Sequence, residues 1–283
     1  MIPEAFEYKR ATTLDEAISL IQASNGDGKF LAGGHSLIPL MKLRLSEPGV
    51  LVDISRIPQL KGISEKDGKI QVGAATTHAE VVNSDLIRRL CPVVSECASE
   101  IGDPQVRNRG TMGGSVAHSD PSADYPAVLV ALDAEIHLKG PGGWRAVKAG
   151  EFFQGMFTVD MAEDEIIAGI QIPPAKNAAY AKLHQRASHY AIVGVAAVLE
   201  MNGNTCTSAR IGLTGASSHA QRLPAVEAAL AGKELSQANI DAAASVAADG
   251  LQDVNSDIHA SEAYRRAMVK VFTRRAIEKA AHR

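Results

Sequence analysis

Two glycine pairs stand out among the residues able to do chemistry, Ala32-Gly33-Gly34-His35-Ser36 and Thr111-Met112-Gly113-Gly114-Ser115. Each sets side-chain-free backbone beside a hydroxyl, and the first lies between an expected strand and an expected helix. Glycine removes the steric barrier to close approach, and consecutive N–H groups form a concave nest for an anion. At the start of a following helix the dipole adds to that attraction. A single Gly-Gly pair is ordinarily only a turn. Two of the same kind, each ending in Ser, point to a two-sided cradle for a dinucleotide. The conventional phosphate signatures are missing: no G-x-G-x-x-G follows a strand, no G-x-x-x-x-G-K-[ST] occurs, and Gly232-Lys233 runs into Glu234. The pattern therefore favours a dinucleotide held on an unconventional scaffold.

Other reactive residues form no comparable set. His35, His78 and His118 fall on separate loops without i, i+3 or i+4 spacing, which argues against a metal site. The contiguous His118-Ser119-Asp120 is not a hydrolase triad, because triad members converge in space from separately oriented positions. Cys91, Cys97 and Cys206 make no C-x-x-C pair, so a disulfide scaffold, a zinc ribbon or an iron–sulfur site built by this chain alone is not expected. No residue is expected to be catalytic in the acid–base sense.

The elements that must position the glycine loops follow from periodicity. The first fifty residues read as strand, helix, strand, helix: Thr13 is an N-cap with Glu16 three residues on, and Leu14, Ala17, Ile18 and Ile21 recur at helical spacing. Lys29–Ala32 is a short buried strand feeding the first glycine pair, Leu37–Leu45 a helix, and Val50–Ile54 a second strand. Lys69–Gly73 alternates as a strand, Thr77 caps a helix running to about Leu90, and another helix spans Val93–Ile101. A loop is expected from Gly102 to about Ser122, long enough to be functional. Strands follow at Glu135–Lys139, Glu165–Ile172 and Ala179–His184. After Pro173-Pro174 the character changes, with a boundary at about residue 176. Ala191–Met201 and Cys206–Gly212 read as a hairpin through Asn202-Gly203-Asn204. The remainder is Ala-rich and helical near 224–231, 236–249 and 260–281. The last helix carries Arg265, Arg266, Lys270, Arg274, Arg275, Lys279 and Arg283 against Glu262 and Glu278, either a solvated face or a docking surface for a partner subunit.

Composition bounds the rest. The 283 residues carry Lys+Arg 29 against Asp+Glu 32, a net charge of −3, and are 46% hydrophobic. That describes a globular protein of two domains, or of one with clear subdomains, and argues against a general nucleic-acid binder. No segment approaches the ~20 uninterrupted apolar residues of a membrane helix, and Met1-Ile2-Pro3-Glu4 lacks the pattern of a leader, so a cytoplasmic location is expected.

The runs Leu31–Lys42, Pro104–Ser115 and Asp120–Asp124 resemble the FAD-binding medium subunit of molybdenum hydroxylases, the family of carbon monoxide dehydrogenase, aldehyde and N-heterocycle oxidoreductases and, more distantly, xanthine dehydrogenase. The resemblance covers essentially the whole chain. It implies an α+β fold: an FAD-binding domain over 1–175, in subdomains of about 1–56 and 57–175 of the vanillyl-alcohol oxidase and p-cresol methylhydroxylase type. A C-terminal domain over 176–283 follows, of carbon monoxide dehydrogenase flavoprotein type, with an antiparallel sheet and a helical bundle. By the same resemblance Ala32, Gly33, Gly34, His35 and Ser36, with Thr111, Gly113, Gly114 and Ser115, line the FAD diphosphate and ribityl chain, flanked by Lys29 and Leu37. Asp124 matches a carboxylate that hydrogen-bonds the cofactor, Ile101 and Ile167 match apolar contacts to it, Lys182 a lysine near the flavin, and Tyr190 an aromatic residue beside the isoalloxazine. On residue type alone, Ile101 and Ile167 are core positions, Lys182 is a surface lysine, and Asp124 caps a helix beginning at Tyr125-Pro126.

The resemblance further implies noncovalent FAD, since the His or Cys that the family uses for covalent attachment is missing. It implies a large subunit carrying a molybdenum cofactor and a small one carrying two-iron two-sulfur clusters, assembled as a dimer of heterotrimers. Electrons then pass from the clusters to the flavin and on to an external acceptor. A non-redox scaffold or nucleotide-binding subunit of such a complex is the alternative. The substrate, whether carbon monoxide, an aldehyde or an N-heterocycle, is chosen outside this chain.

Overall fold

A computed structural model describes residues 2–283. The chain begins with a three-stranded parallel sheet in which Val50–Asp53 lies between Glu7–Arg10 and Gly28–Leu31. The crossovers are the helices Leu14–Gln22 and Leu37–Lys42. In the first, the Thr13 side chain accepts from the Glu16 N–H, and Leu14, Ala17, Ile18 and Ile21 are buried, so cap and apolar stripe agree. Parallel strands gather their C-terminal ends at one edge, and the first glycine pair leaves the sheet there, directly after Leu31.

A five-stranded antiparallel sheet follows, in the order Ile63–Lys66, Lys69–Gly73, Ile166–Ile172, Glu135–Gly140, Gly143–Lys148. Strict alternation sends Ile70, Val72, Ile136 and Leu138 into the core, where helices between residues 78 and 131 cover them. The outer strands Ile63–Lys66 and Gly143–Lys148 are polar edge strands whose pattern was too weak to be read from sequence.

Two sequence expectations are corrected here. The helix expected from Thr77 to Leu90 is two helices, His78–Asn83 and Asp85–Leu90, broken at Ser84, whose extended backbone ends one while its hydroxyl caps the next. The loop expected from Gly102 to Ser122 contains the helices Pro104–Arg107, capped by Asp103, and Met112–His118, capped by Thr111. Of the second glycine pair, expected to line a dinucleotide, Gly113 is required by packing: a Cβ there would stand 2.4 Å from that of Ala74.

The C-terminal part pairs Ala178–His184, Ala191–Asn202, Thr205–Thr214 and Gln221–Arg222 into an antiparallel sheet, extended by Lys233–Glu234 against Thr205–Cys206. The expected hairpin closes with Asn202 opposite Thr205, and Gly203 takes the left-handed conformation that a two-residue turn needs, at φ +59°. Strand Ala191–Asn202 is apolar on both faces because it serves two cores. Val193, Val195 and Leu199 face the helices Pro224–Leu230, Gln237–Ser245 and Glu262–Ala281, while Ala196 and Val198 join the core of the preceding sheet.

The last helix is not uniformly solvated. Arg265 is 2% exposed and donates to the carbonyls of Ile192 and Gly215, and Lys279 and Arg283 pair with Glu96 of the helix Pro92–Ser99. Arg266 and Arg274 pair with Glu262 and Asp241. No helix among the described residues is long and apolar enough to cross a membrane.

Candidate cofactor site

The first glycine loop leaves a row of backbone donors unused. The N–H groups of Gly33, Gly34, His35, Ser36 and Leu37 have no acceptor among the described residues. Gly34 sits at φ +75°, the left-handed conformation that turns successive N–H groups to one side. Ser36 stands at the N-cap of Leu37–Lys42 without a side-chain cap bond, so the first turn of that helix is also open. The His35 ring is tied back to the Gly33 carbonyl at 3.3 Å.

The second glycine segment lies against the first. A Cβ on Gly33 would stand 2.2 Å from the Arg109 carbonyl oxygen, so only glycine lets the two loops touch. The donors of the second segment are largely used within the protein. Met112 N–H bonds Thr76 O at 3.0 Å, Gly113 N–H bonds Ala74 O at 2.9 Å, and Gly114 N–H bonds the Thr111 hydroxyl at 3.2 Å. Of that pair Gly113 is a buried packing residue, whereas Gly114 and Ser115 remain partly open. The two segments thus differ: the first offers donors, and the second is a braced wall.

His78 braces it. Its N–H bonds Gly110 O at 3.0 Å, and its ring Nδ1 lies 3.2 Å from the Tyr125 hydroxyl. A Cβ on Gly110 would meet the His78 Nε2 at 2.6 Å. Burial, with His35 and Arg107 nearby, pushes this imidazole down to about 4, so it is neutral at pH 7.

Asp124 occupies the N-cap position of the helix Tyr125–Ala131, but its side chain makes no cap bond, which removes the helix-cap reading. Its carboxylate instead accepts from the Tyr180 hydroxyl at 2.6 Å and pairs with Lys182 Nζ at 2.8 Å. Lys182 is no surface lysine: its side chain is 1% exposed, and it also donates to Glu100 O at 2.9 Å. Burial raises the Asp124 carboxyl to about 6, against the lowering effect of the Lys182 ammonium. The segment just before it is stitched to the C-terminal sheet, with the Thr214 hydroxyl bonding Pro121 O and Ala123 O.

Ile167 is 4% exposed in the strand Ile166–Ile172, and Ile101 is half-buried after the helix Pro92–Ser99. Lys29 is exposed on the edge strand ahead of the glycine loop, and Leu37 is half-buried at the start of its helix. Tyr190, 42% exposed, ends the turn 185–190. Loss of solvent, with Asp120 and Asp124 nearby, pushes its hydroxyl up to about 12. Tyr180 and His78 were missed from sequence. Tyr180 had a signal, because it stands two residues before Lys182 on an extended strand and shares its face.

The donor row and the glycine-permitted contact of two loops suit a dinucleotide diphosphate. Comparison with known proteins identifies the class. Residues 4–175 match the family described as the FAD binding domain in molybdopterin dehydrogenase, and residues 178–280 match the CO dehydrogenase flavoprotein C-terminal domain. The chain belongs to this family of FAD-binding oxidoreductase subunits. Among particular relatives, it is 38% identical over 283 residues to the carbon monoxide dehydrogenase medium chain of Hydrogenophaga pseudoflava, covering 99% of this chain and 98% of the relative. It is 35% identical over 280 residues to the nicotine 6-hydroxylase medium subunit of Paenarthrobacter nicotinovorans, covering 99% and 98%. In structure it resembles a chain of quinoline 2-oxidoreductase from Pseudomonas putida 86, with a TM-score of 0.95 and 34% identity over 100% of this chain and 99% of that one.

Proposed function

We propose that this chain is the FAD-binding electron-transfer subunit of a heterotrimeric molybdenum hydroxylase, with domains over 1–175 and 176–283 holding the flavin noncovalently. The unused N–H groups from Gly33 to Leu37 carry the reading. They would receive the diphosphate with Ala32 beside them and Lys29 at the rim, while Thr111, Gly114 and Ser115 close the opposite wall that Gly113 and His78 brace. Asp124 would accept from the ribityl side, Lys182 would keep it ionised, Ile101 and Ile167 would exclude water from the ring, and Tyr190 would lie beside the isoalloxazine. When bound, the flavin supplies two-electron chemistry between the iron–sulfur clusters of a small subunit, fed by the molybdenum cofactor of a large one, and an external acceptor. None of this requires a general base from this chain.

The relatives' names support the partnership: they are medium chains and subunits of enzymes acting on carbon monoxide, nicotine and caffeine. That spread of substrates fits a chain whose task is common to all of them, in a dimer of heterotrimers in the cytoplasm. The test is a visible spectrum of the purified chain before and after acid precipitation, with the released cofactor weighed by mass spectrometry. Free FAD in the supernatant is the expected result. A colourless chain that fails to take up added FAD sinks the electron-transfer role and leaves a non-redox scaffold.

A further inference from the structure

Two glycines interrupt the C-terminal sheet, where a side chain would ordinarily strengthen the strand, and each admits a close neighbour. A Cβ at Gly212 would stand 2.1 Å from the Ala127 carbonyl oxygen, so the helix Tyr125–Ala131 rests directly on the sheet. A Cβ at Gly194 would stand 2.2 Å from the Tyr180 hydroxyl. That space lets Tyr180, itself 2% exposed, reach Asp124. Gly194 is in register with Lys182 on one neighbouring strand and with Thr214 on the other. Lys182 pairs with Asp124, and the Thr214 hydroxyl bonds the carbonyls of Pro121 and Ala123. One cross-strand row of the C-terminal sheet therefore grips the segment 121–124 from behind.

The bonds in this cluster decide which atom stays open. Lys182 spends its three ammonium donors on Asp124 Oδ1 at 2.8 Å, Asp124 Oδ2 at 2.9 Å and the Glu100 carbonyl at 2.9 Å. The Tyr180 hydroxyl gives Oδ1 a second donor at 2.6 Å. A carboxylate oxygen has two lone pairs, so among the described residues Oδ1 is filled while Oδ2 keeps one free. The ammonium has nothing left to offer a ligand, and the cluster presents an acceptor. We propose that Tyr180 is a positioning residue of the flavin site: through the space at Gly194 it saturates Asp124 Oδ1 and leaves Oδ2 as the open acceptor for a ribityl hydroxyl. The proposal rests on the flavin reading above. Tyr180 also bears on the charge of Asp124. Burial raises that carboxyl to about 6, Lys182 and Tyr180 pull it down, and Glu100 raises it. Cys97, Tyr125 and Tyr190 share its field, and burial pushes all three up, so they stay neutral. Without the Tyr180 donor the carboxyl rises further, and a protonated Asp124 no longer accepts as a carboxylate does.

The test titrates FAD into the flavin-free full chain and into its Tyr180→Phe variant by calorimetry, at pH 7 and at pH 9. A hydrogen bond to a charged group is worth about one to two pH units on the carboxyl. The expected result is near-equal affinity of the two proteins at pH 9 and an about two- to tenfold deficit of the variant at pH 7. The Asp124 carboxyl carbon, followed by NMR in the flavin-free chains, should titrate at a higher pH in the variant. A deficit of the same size at both pH values, no deficit at either, or an unmoved carboxyl titration makes Tyr180 a packing residue. Each of these overturns the proposal and leaves the flavin reading intact. An unchanged chain that takes up no FAD at either pH overturns the flavin reading, and the role of Tyr180 with it.

Discussion

Asp124 and Lys182 neutralise each other in a place where neither could be charged alone. With side chains 5% and 1% exposed, the pair is one whose dissection costs more than its presence yields. Lys182→Met should therefore destabilise the chain by about 3–5 kcal/mol near pH 8. Asp124 already stands at about 6 through burial, and loss of the ammonium drives it higher still. As pH falls the isolated carboxyl takes up a proton and stops being a buried charge, so the deficit should shrink markedly by pH 5. Urea denaturation of both proteins at the two pH values checks this, and a deficit independent of pH would mean that Lys182 acts only through packing and Glu100. His78 runs the other way. Its folded value of about 4 lies below its ordinary 6.5, so the unfolded chain binds the proton first. Its contribution is complete above about 6.5 and is lost as pH drops toward 4, by about 3 kcal/mol in all. His78→Gln should flatten stability across that window.

At the scale of elements, the glycines of the two loops are not interchangeable. Gly33→Ala would set a methyl 2.2 Å from the Arg109 carbonyl, and backbone cannot swing aside as a side chain can. The loops must part, so flavin retention should be lost along with about 1–3 kcal/mol of stability. Gly34→Ala meets side chains alone, Ile38 at 3.1 Å and Leu31 at 3.4 Å, but must hold φ +75°. Its cost should be about 1–2 kcal/mol, with weakened rather than abolished flavin binding. Flavin content and melting temperature of the two variants separate these outcomes, and equal flavin loss in both would deny the loop contact its role. Elements whose signal is local were legible in the sequence: the Thr13 cap, the alternation of Lys69–Gly73, the hairpin at Gly203-Asn204. The helix Met112–His118 was not, because Gly113 looks like a breaker until Ala74 is seen beneath it. Nor could spacing tell that the first glycine pair keeps its donors while the second gives them to Ala74 and Thr76. The Asp124–Tyr180–Lys182 cluster joins residues more than fifty positions apart, which no periodicity encodes.

For the whole molecule, the question is what holds the C-terminal sheet against the flavin-side domain. Besides the apolar seam of Ala196 and Val198 and the Arg210 and Arg222 contacts to Ala131 and Asp133, the polar contacts that cross include Thr214 to Pro121 and Ala123, Lys182 to Glu100 and Asp124, and the end of the last helix to Glu96. Those of Thr214 and Lys182 reach the candidate site directly, whereas the last grips the helix Pro92–Ser99 from outside, with Glu96 14% exposed. Arg283, 28% exposed, lies 2.7 Å from that carboxylate and also donates to Ala178 O, and Lys279 pairs with the same group. Glu96→Gln keeps the shape but strands two half-buried cations. The cost should fall between the about 1 kcal/mol of an exposed pair and the 3–5 of a buried one. Because Ile101 and the Glu100 carbonyl follow that same helix, loosening it should reach the flavin: the temperature of flavin release and that of global unfolding should fall together in parallel thermal scans. If Glu96→Gln lowers the unfolding temperature but leaves flavin release where it was, the clasp is a fastening of the last helix alone, and the site's outer wall is set by Thr214 and Lys182 without it.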